Sequence, residues 1–593
     1  MIDIELHETL NQVCEAIELE DYKTAQRLIE SREKKYGGNP YFLWQKGIYE
    51  QRIGSHKRIV VLPLFEKAYN CGFEELGFLK AYGSLLLELR IYATAVTVLG
   101  KIIQLKHDDV ETYIELAKAF SQTGNSITAI NTLKLAANIN PNHSLIPTVY
   151  CLTATALMEC GYQTESLELF KKALEIDNKN ITFAANYLFC LNYSNISREG
   201  YYLLCKKYGT LWKKNILYER PPFPQTEKIK IGFISGDFCY HAVSFFISSI
   251  FENFDKNKFE IYLFSTLAIE KYDYVTKMFI EQTGKWYDIS KNGHISAAEL
   301  IRKNEITVLY DLSGYTNGGA PLEIFGFRPA PVQVSYCGYP NTTGLKCIDF
   351  RITDNICEPA DAQNFHSEKL FKIDGCFLCY QPRFELIPEC TFENPYGRSI
   401  IFGSFNNFSK ITTKTIKLWC EVLMAVPNSK LAIKYKHVND LKFREVIIAR
   451  FAENGLSADR IIIFNFDFDP KEHFAQYNKI DIALDTFPYN GTTTTCEALY
   501  MGVPVITILG DRHCSRVSAS LLNAVGLREL AADDKEGFIR IAADLATNTQ
   551  KLAELKQNLR ERMRSSSLMD KKSFTQKWQN AILDMINEIK HEK

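Results

Sequence analysis

The stretch Asn490-Gly-Thr-Thr-Thr-Thr-Cys-Glu497 concentrates hydroxyls at one turn. An apolar run at 482–484 precedes it, followed by the turn formers Pro488, Asn490 and Gly491. Residues 496–499 read as the first turns of a helix. Gly502 and Pro504 end that helix, and 503–509 reads as a second buried strand. The order is strand, polar turn, helix, strand. A helix start leaves backbone N–H groups unpaired and carries partial positive charge, so an anion docks there. The hydroxyls of Thr492, Thr493 and Thr494 add donors. One threonine suffices as a helix cap, so four in succession point to a phosphate. Glu497 sits one turn further in, where a carboxylate reaches the two hydroxyls of a ribose or acts as a helix-dipole partner.

Lys410 ends Asn406-Asn407-Phe-Ser-Lys410, at the mouth of another strand. A lysine there neutralises a diphosphate, and the amides of Asn406 and Asn407 suit phosphate or base edges. His473, in Pro470-Lys-Glu-His473, opens the helix before the threonine turn. It can stack on a nucleobase or stand on a helix surface. His241 follows the first strand of a separate sheet unit and suits proton transfer or a hydrogen bond to an acceptor hydroxyl. A structural role serves His241 equally on spacing alone. Asp237 and Asp311 end strands and are weaker candidates. Arg512, His513 and Arg516 are placed to line the same cleft, but read as ordinary surface charges. No Gly-x4-Gly-Lys-Ser/Thr loop, no Gly-x-Gly-x-x-Gly after a strand and no metal-ligand spacing is present. These features favour a nucleotide diphosphate held by lysine, threonines and a helix dipole. They imply no metal and no cofactor beyond the donor. A nucleotide-sugar glycosyltransferase with two Rossmann-like domains fits.

Strands at 228–235, 259–265, 307–312 and 332–336 alternate with helices, which predicts a doubly wound sheet. A second such unit starts near Ser399, with strands at 400–404, 431–436, 460–464 and 482–484. Ligands bind at the carboxyl ends of strands in such sheets, so two units with facing polar loops define a cleft. Residues 1 to about 210 read as helices only. Tyr113 to Phe120, Gly124, Ala129, Ala136 and Asn140-Pro141 recur in the next unit as Tyr150 to Met158, Gly161, Ser166, Ala173 and Asp177-Asn178. Weaker copies lie at 41–53 and 78–95. The period of about 34–36 residues is that of tetratricopeptide helix pairs, and about five pairs are expected. The small residues Ala117, Gly124, Ala129 and Ala136 are read as points of close helix approach. Such repeats imply a concave surface for a protein partner. Domains are drawn at 1–213 for the repeats, 214–227 for a Pro-rich linker, 228–395 and 396–560 for the two sheet units, and 561–593 for a C-terminal helix packed back on them.

Of the 593 residues, 46% are hydrophobic and 23% charged, with net charge −1. This is ordinary soluble composition and gives no sign of nucleic acid or an anionic membrane as partner. No apolar run reaches spanning length, and the acidic N-terminus lacks a signal-peptide core. Sixteen scattered cysteines fit reduced thiols in cytoplasm. Cys376 and Cys379 form a pair without a second pair nearby and are read as thiols in a strand-like run.

Several long motifs resemble the O-linked N-acetylglucosaminyltransferase family, including its Spindly-type branch. They are Gly232-Phe-Ile-Ser-Gly-Asp-Phe-Cys-Tyr-His-Ala-Val-Ser-Phe-Phe246, Arg328-Pro-Ala-Pro-Val-Gln-Val-Ser-Tyr-Cys-Gly-Tyr-Pro-Asn-Thr-Thr-Gly344, Phe402-Gly-Ser-Phe-Asn-Asn-Phe-Ser-Lys410, Val426-Pro-Asn-Ser429 and the run from Leu484 to Pro504. The likeness covers about 228–560. It implies a helical tetratricopeptide-like solenoid followed by a GT-B fold, and inverting transfer of a sugar to Ser or Thr of a protein acceptor. By that likeness Lys410 binds the diphosphate and stabilises the leaving group. Thr493 and Thr494 hold phosphates, with Thr492 beside them. Glu497 takes the ribose, His473 the base, Asn407 the pyrophosphate or base side, and His241 lines the sugar and acceptor site. The animal enzymes carry His-Thr-Thr where this chain has Thr492-Thr493-Thr494, Asp at Glu497 and glutamine at Asn407. They also carry a large insertion that this chain lacks. The 485–504 and 402–410 stretches look closer to the Spindly branch, whose donor is GDP-fucose. UDP-GlcNAc is placed first as donor and GDP-fucose second; a non-catalytic repeat scaffold is the third reading.

Overall fold

The computed structural model describes residues 4–54, 58–212, 219–382, 387–390, 399–435, 440–465 and 469–591. Internal contacts divide the chain into two compact units, Met1–Thr153 and Ala154–Lys593.

The first unit is built from paired helices. Ile4–Glu18 pairs with Tyr22–Tyr36, Pro40–Ile53 with Arg58–Asn70, Leu76–Glu88 with Tyr92–Leu105, and Val110–Gln122 with Ser126–Ile139. The first, third and fourth pairs each close through one tight turn. Asn125 N–H bonds Phe120 O at 2.8 Å around Gly124, and Ile91 N–H bonds Leu86 O at 2.8 Å around Arg90. Both turn residues have positive φ, 81° and 61°. Gly124 therefore serves the left-handed turn rather than close helix approach. Ala117, Ala129 and Ala136 are buried between helices as read. Phe65, Phe78 and Tyr82 form the aromatic centre, with Phe65 and Phe78 centroids 5.5 Å apart.

The second unit continues the series with Gln163–Ile176, Ile181–Cys190 and Arg198–Gly209. Pairs thus begin at Ile4, Pro40, Leu76, Val110, Ile146 and Ile181, making six among the described residues. The sixth escapes the repeat pattern because its inner face meets the first sheet unit. Asn192 bonds the Tyr339 hydroxyl and the Asn341 amide, each at 3.1 Å. The Trp212 indole N–H donates to Gly319 O at 3.0 Å. Leu217 and Tyr218 of the Pro-rich linker lie outside the described residues. Beyond them, Arg220 donates to Pro331 O and pairs with Asp349.

Two all-parallel sheets follow. The first contains β1 (Ile229–Ser235), β2 (Phe259–Ser265), β3 (Trp286–Asp288), β4 (Val308–Asp311), β5 (Val332–Ser335), β6 (Phe350–Thr353) and β7 (Lys369–Lys372). Their order is β3-β2-β1-β4-β5-β6-β7. The second contains β8 (Ile401–Ser404), β9 (Lys430–Tyr435), β10 (Ile461–Asn465), β11 (Ile482–Leu484), β12 (Val505–Ile508) and β13 (Ala531–Ala532). These run β10-β9-β8-β11-β12-β13. Each sheet has the doubly wound order, and its strand order reverses beside its first strand. Strands β4, β5 and β6 are buried along their whole length, as parallel strands covered by helices must be. The Cys376–Cys379 run is buried but carries no strand; Tyr380 N–H bonds Leu568 O instead.

The C-terminal helix Lys571–His591 crosses back to the first sheet. Fully buried Trp578 stacks on Phe233 at 5.9 Å and leans on Tyr310 at 5.4 Å. Trp578→Ala is expected to cost about 4 kcal/mol, because the cavity opens over the centre of the sheet. A drop in melting temperature checks this, and an unchanged melt refutes it.

Candidate functional site

The threonine turn is built around one buried carboxylate. Asp485 follows β11 directly, and its Oδ1 accepts the N–H of Thr486 at 2.8 Å and of Gly491 at 2.7 Å. Its Oδ2 accepts the Thr507 hydroxyl at 2.7 Å. The chain therefore doubles back on itself between 485 and 491. Gly491 is required there: a Cβ would lie 2.5 Å from Thr495 Oγ1 and 3.1 Å from Asn406 Oδ1. The helix Thr493–Tyr500 starts without a side-chain cap at Thr492. Its first N–H groups remain available to a ligand. Thr494 donates to Asn406 Oδ1 at 2.8 Å. Thr493 Oγ1 and Asn490 Oδ1 are buried without hydrogen-bond partners among the described residues. The helix ends as its sequence dictates, with Gly502 at φ 74° and Val503 N–H on Ala498 O.

Lys410 meets this turn. Its Nζ donates to Asn490 O at 2.6 Å and stands 4.0 Å from the centre of the Tyr489 ring. It is half-buried. Burial pushes its ammonium down to about 8, while the Asp485 carboxylate opposes the shift. No carboxylate lies within ion-pair distance among the described residues, so the charge is available to an anion. The loop that carries it is held on two sides. Gln163 donates to Ser409 O at 2.6 Å, and Thr415 on the following helix donates to Phe487 O at 2.7 Å. Tyr193 stacks on Tyr489 at 5.2 Å. Asn407 is exposed and caps the Lys410 turn, its Oδ1 accepting Ser409 N–H at 3.0 Å. Asn406, not Asn407, touches the threonine helix.

Glu497 is 7% exposed. Its Oε2 lies 3.0 Å from His473 Nε2 and accepts the Tyr477 hydroxyl, also at 3.0 Å. His473 opens Pro470–Ala475, and its Nδ1 faces Lys434 Nζ of β9 at 2.6 Å. The structure thus brings together Lys410, Asn406, Thr494, Glu497 and His473 at the carboxyl ends of β8, β9 and β11. Lys434, Tyr477 and Asp485 complete the group and were not singled out by sequence reasoning. The available signal for Lys434 was an ammonium amid the apolar residues of a strand buried on both faces.

His241 belongs to the other half. It caps Ala242–Asn253, its Nδ1 accepting Val243 N–H at 3.4 Å, with Asp237 Oδ2 at 3.8 Å. It is exposed, and no described contact joins it to Lys410 or the threonine turn. Beside its loop, the carboxyl ends of β1, β2 and β3 open on a cavity of about 320 Å³ lined by Gly236, Thr266, Lys271, Asn292 and His294. Asp311 is a turn-former: its Oδ1 accepts Ser313 and Gly314 N–H at 2.9 Å each, and burial pushes its carboxyl up to about 6.

The reading of Arg512, His513 and Arg516 as surface charges is overturned. Arg512 is 3% exposed and donates to Leu191 O and Ser194 O. His513 Nδ1 lies 2.9 Å from Glu358 Oε1, and Arg516 donates to Ile356 O at 2.6 Å. These partners lie more than 150 residues away in sequence, where no local pattern reveals them, although Arg516 also donates to nearby Gly510 O at 2.7 Å. Glu358 also lies 3.3 Å from His366 Nε2. Both imidazoles hold its carboxyl well below the usual range despite burial. Among the described residues no group of three or more His, Cys, Asp or Glu is placed to hold a metal ion.

A model of glycosyl transferase family 41 matches residues 192–384 and 390–578. The chain belongs to glycosyl transferase family 41. A tetratricopeptide repeat model matches 110–143 and 147–180. A rice (Oryza sativa subsp. japonica) protein, described as the probable UDP-N-acetylglucosamine–peptide N-acetylglucosaminyltransferase SPINDLY, is 36% identical over 430 residues, 71% of this chain and 46% of its own. Its Arabidopsis thaliana counterpart is 38% identical over 366 residues, 60% of this chain and 39% of its own. This family 41 chain therefore spans under half the length of these plant relatives. A mutant O-GlcNAc transferase of Thermobaculum terrenum has a structure matching at TM-score 0.80 with 25% identity, over 87% of this chain and 98% of that one. The two parallel sheets, in this family 41 chain, form a GT-B fold.

Proposed function

We propose that this chain is an inverting protein O-glycosyltransferase that moves GlcNAc from UDP-GlcNAc to Ser or Thr of a protein acceptor. The observation that carries this reading is the Lys410 ammonium seated 2.6 Å from Asn490 O, on the turn that starts the uncapped Thr493 helix. That arrangement suits a diphosphate between an amine and a helix N-terminus. In the reaction the acceptor oxygen bonds to the sugar C1 and the C1–O bond to phosphate breaks. The nucleoside diphosphate leaves with the electron pair, its charge met by Lys410 and the Thr493–Thr494 turn. The acceptor hydroxyl loses its proton to a base. His241 Nδ1 accepts from Val243, so a neutral ring carries its hydrogen on Nε2. That tautomer suits donation to a sugar oxygen. No resident metal or cofactor enters this scheme. The helical repeats would select the acceptor, and the free thiols fit a cytoplasmic setting. Among the described residues no helix is long and apolar enough to cross a membrane.

The UDP-GlcNAc donor is favoured by the plant relatives, which are described as probable UDP-N-acetylglucosamine–peptide N-acetylglucosaminyltransferases. The second reading, fucosyl transfer from GDP-fucose, is favoured by the likeness of the 485–504 and 402–410 stretches to the Spindly branch. Titrating UDP against GDP separates the two, with tighter UDP binding expected. Mass spectrometry of proteins co-expressed with the chain gives the sugar mass. An added hexosamine of N-acetyl type supports the first reading, a deoxyhexose supports the second, and no modification at all refutes both.

A further inference from the structure

Lys434 is 4% exposed on β9, among the buried residues Leu431, Ala432 and Ile433. Its Nζ faces His473 Nδ1 at 2.6 Å and stands 5.4 Å from the centre of the Phe405 ring. An ammonium has only donors, so the ring nitrogen facing it is an acceptor. The neutral ring then carries its hydrogen on Nε2, which points at Glu497 Oε2 at 3.0 Å. The Tyr477 hydroxyl donates to the same oxygen at 3.0 Å. Two donors thus fix one carboxylate oxygen, and Glu497 Oε1 has no hydrogen-bond partner among the described residues.

We propose that Lys434 is a positioning residue for the ribose of the donor. It holds His473 in the tautomer that clamps Glu497, so that Oε1 is presented to the ribose hydroxyls. This rests on the nucleotide-sugar reading above. Without the ammonium, Nδ1 loses the donor that holds the ring in place, and the imidazole is free to turn its Nε2–H away from the carboxylate. Glu497 then loses one of its two anchors.

The test is calorimetric titration of the full chain with UDP, GDP and their 2′,3′-dideoxy counterparts. Wild type, K434M, K434L and K434Q are compared, with two apolar variants so that one misfolded protein does not decide the matter. K434M and K434L are expected to bind the ribonucleotide about tenfold more weakly, as loss of a bond to a charged group implies. Their affinity for the dideoxy analogue should stay unchanged. K434Q keeps an N–H donor and should stay within about threefold of wild type. Turnover at saturating donor should change little, so that the loss lies in KM. Folded apolar variants that keep the ribose preference, or lose both nucleotides equally, overturn the proposal. Wild type that binds neither UDP nor GDP overturns the nucleotide-sugar reading, and this inference with it.

Discussion

Lys410→Ala is expected to lower donor turnover about 10²–10³-fold, the loss seen when one preorganised charge-stabilising group is removed from an active site. The fold should survive, because Lys410 is half-buried and makes a single described hydrogen bond, to Asn490 O. The pH dependence gives a second signature. The ammonium is the working form, and burial has brought it down to about 8. Activity that needs it is present below that value and is lost as pH rises through it. The kcat/KM profile, which reports the free protein, should therefore fall above about pH 8. A bound diphosphate opposes the effect of burial, so kcat should hold to higher pH. Lys410→Arg should remove the alkaline fall, because a guanidinium stays charged, while still losing activity through its different shape. Turnover of the alanine variant within threefold of wild type would sink the assignment, as would an alkaline limb unchanged in the arginine variant.

Asp485→Ala is expected to have the largest combined effect on stability and activity. Three buried donors, Thr486 N–H, Gly491 N–H and the Thr507 hydroxyl, converge on this carboxylate. Leaving them unpaired costs roughly 3–5 kcal/mol at about 1–3 kcal/mol each, with partial relaxation. The same change releases the 485–491 turn, whose Asn490 carbonyl receives Lys410. Turnover should then stay low even at saturating donor, because the phosphate-facing groups are no longer held in register. Asp485→Asn keeps the shape and one acceptor and should lose less. Thermal melting and turnover are read together. A melt within 2 °C of wild type, or full activity, would refute the role given to Asp485.

Local chemistry is what the chain carried openly in its residues. Thr492–Thr495 behind Asn-Gly, Lys410 behind two asparagines, and the 37-residue step from Tyr113 and Gly124 to Tyr150 and Gly161 are each patterns carried by neighbouring stretches of chain. Backbone preference and hydrophobic period act over that range, so the helix start, the lysine loop, the repeats and the central strands other than the four-residue β6 were legible. The strands β3, β7 and β13 are short and lie at sheet edges, and so give little periodic signal. Burial of Arg512 and His513, the choice of Asn406 over Asn407 on Thr494, and the clamp from Lys434 through His473 to Glu497 were decided only by tertiary structure. Each depends on a partner from a distant strand or helix. Packing settles which polar group is removed from water and must then find a specific donor or acceptor.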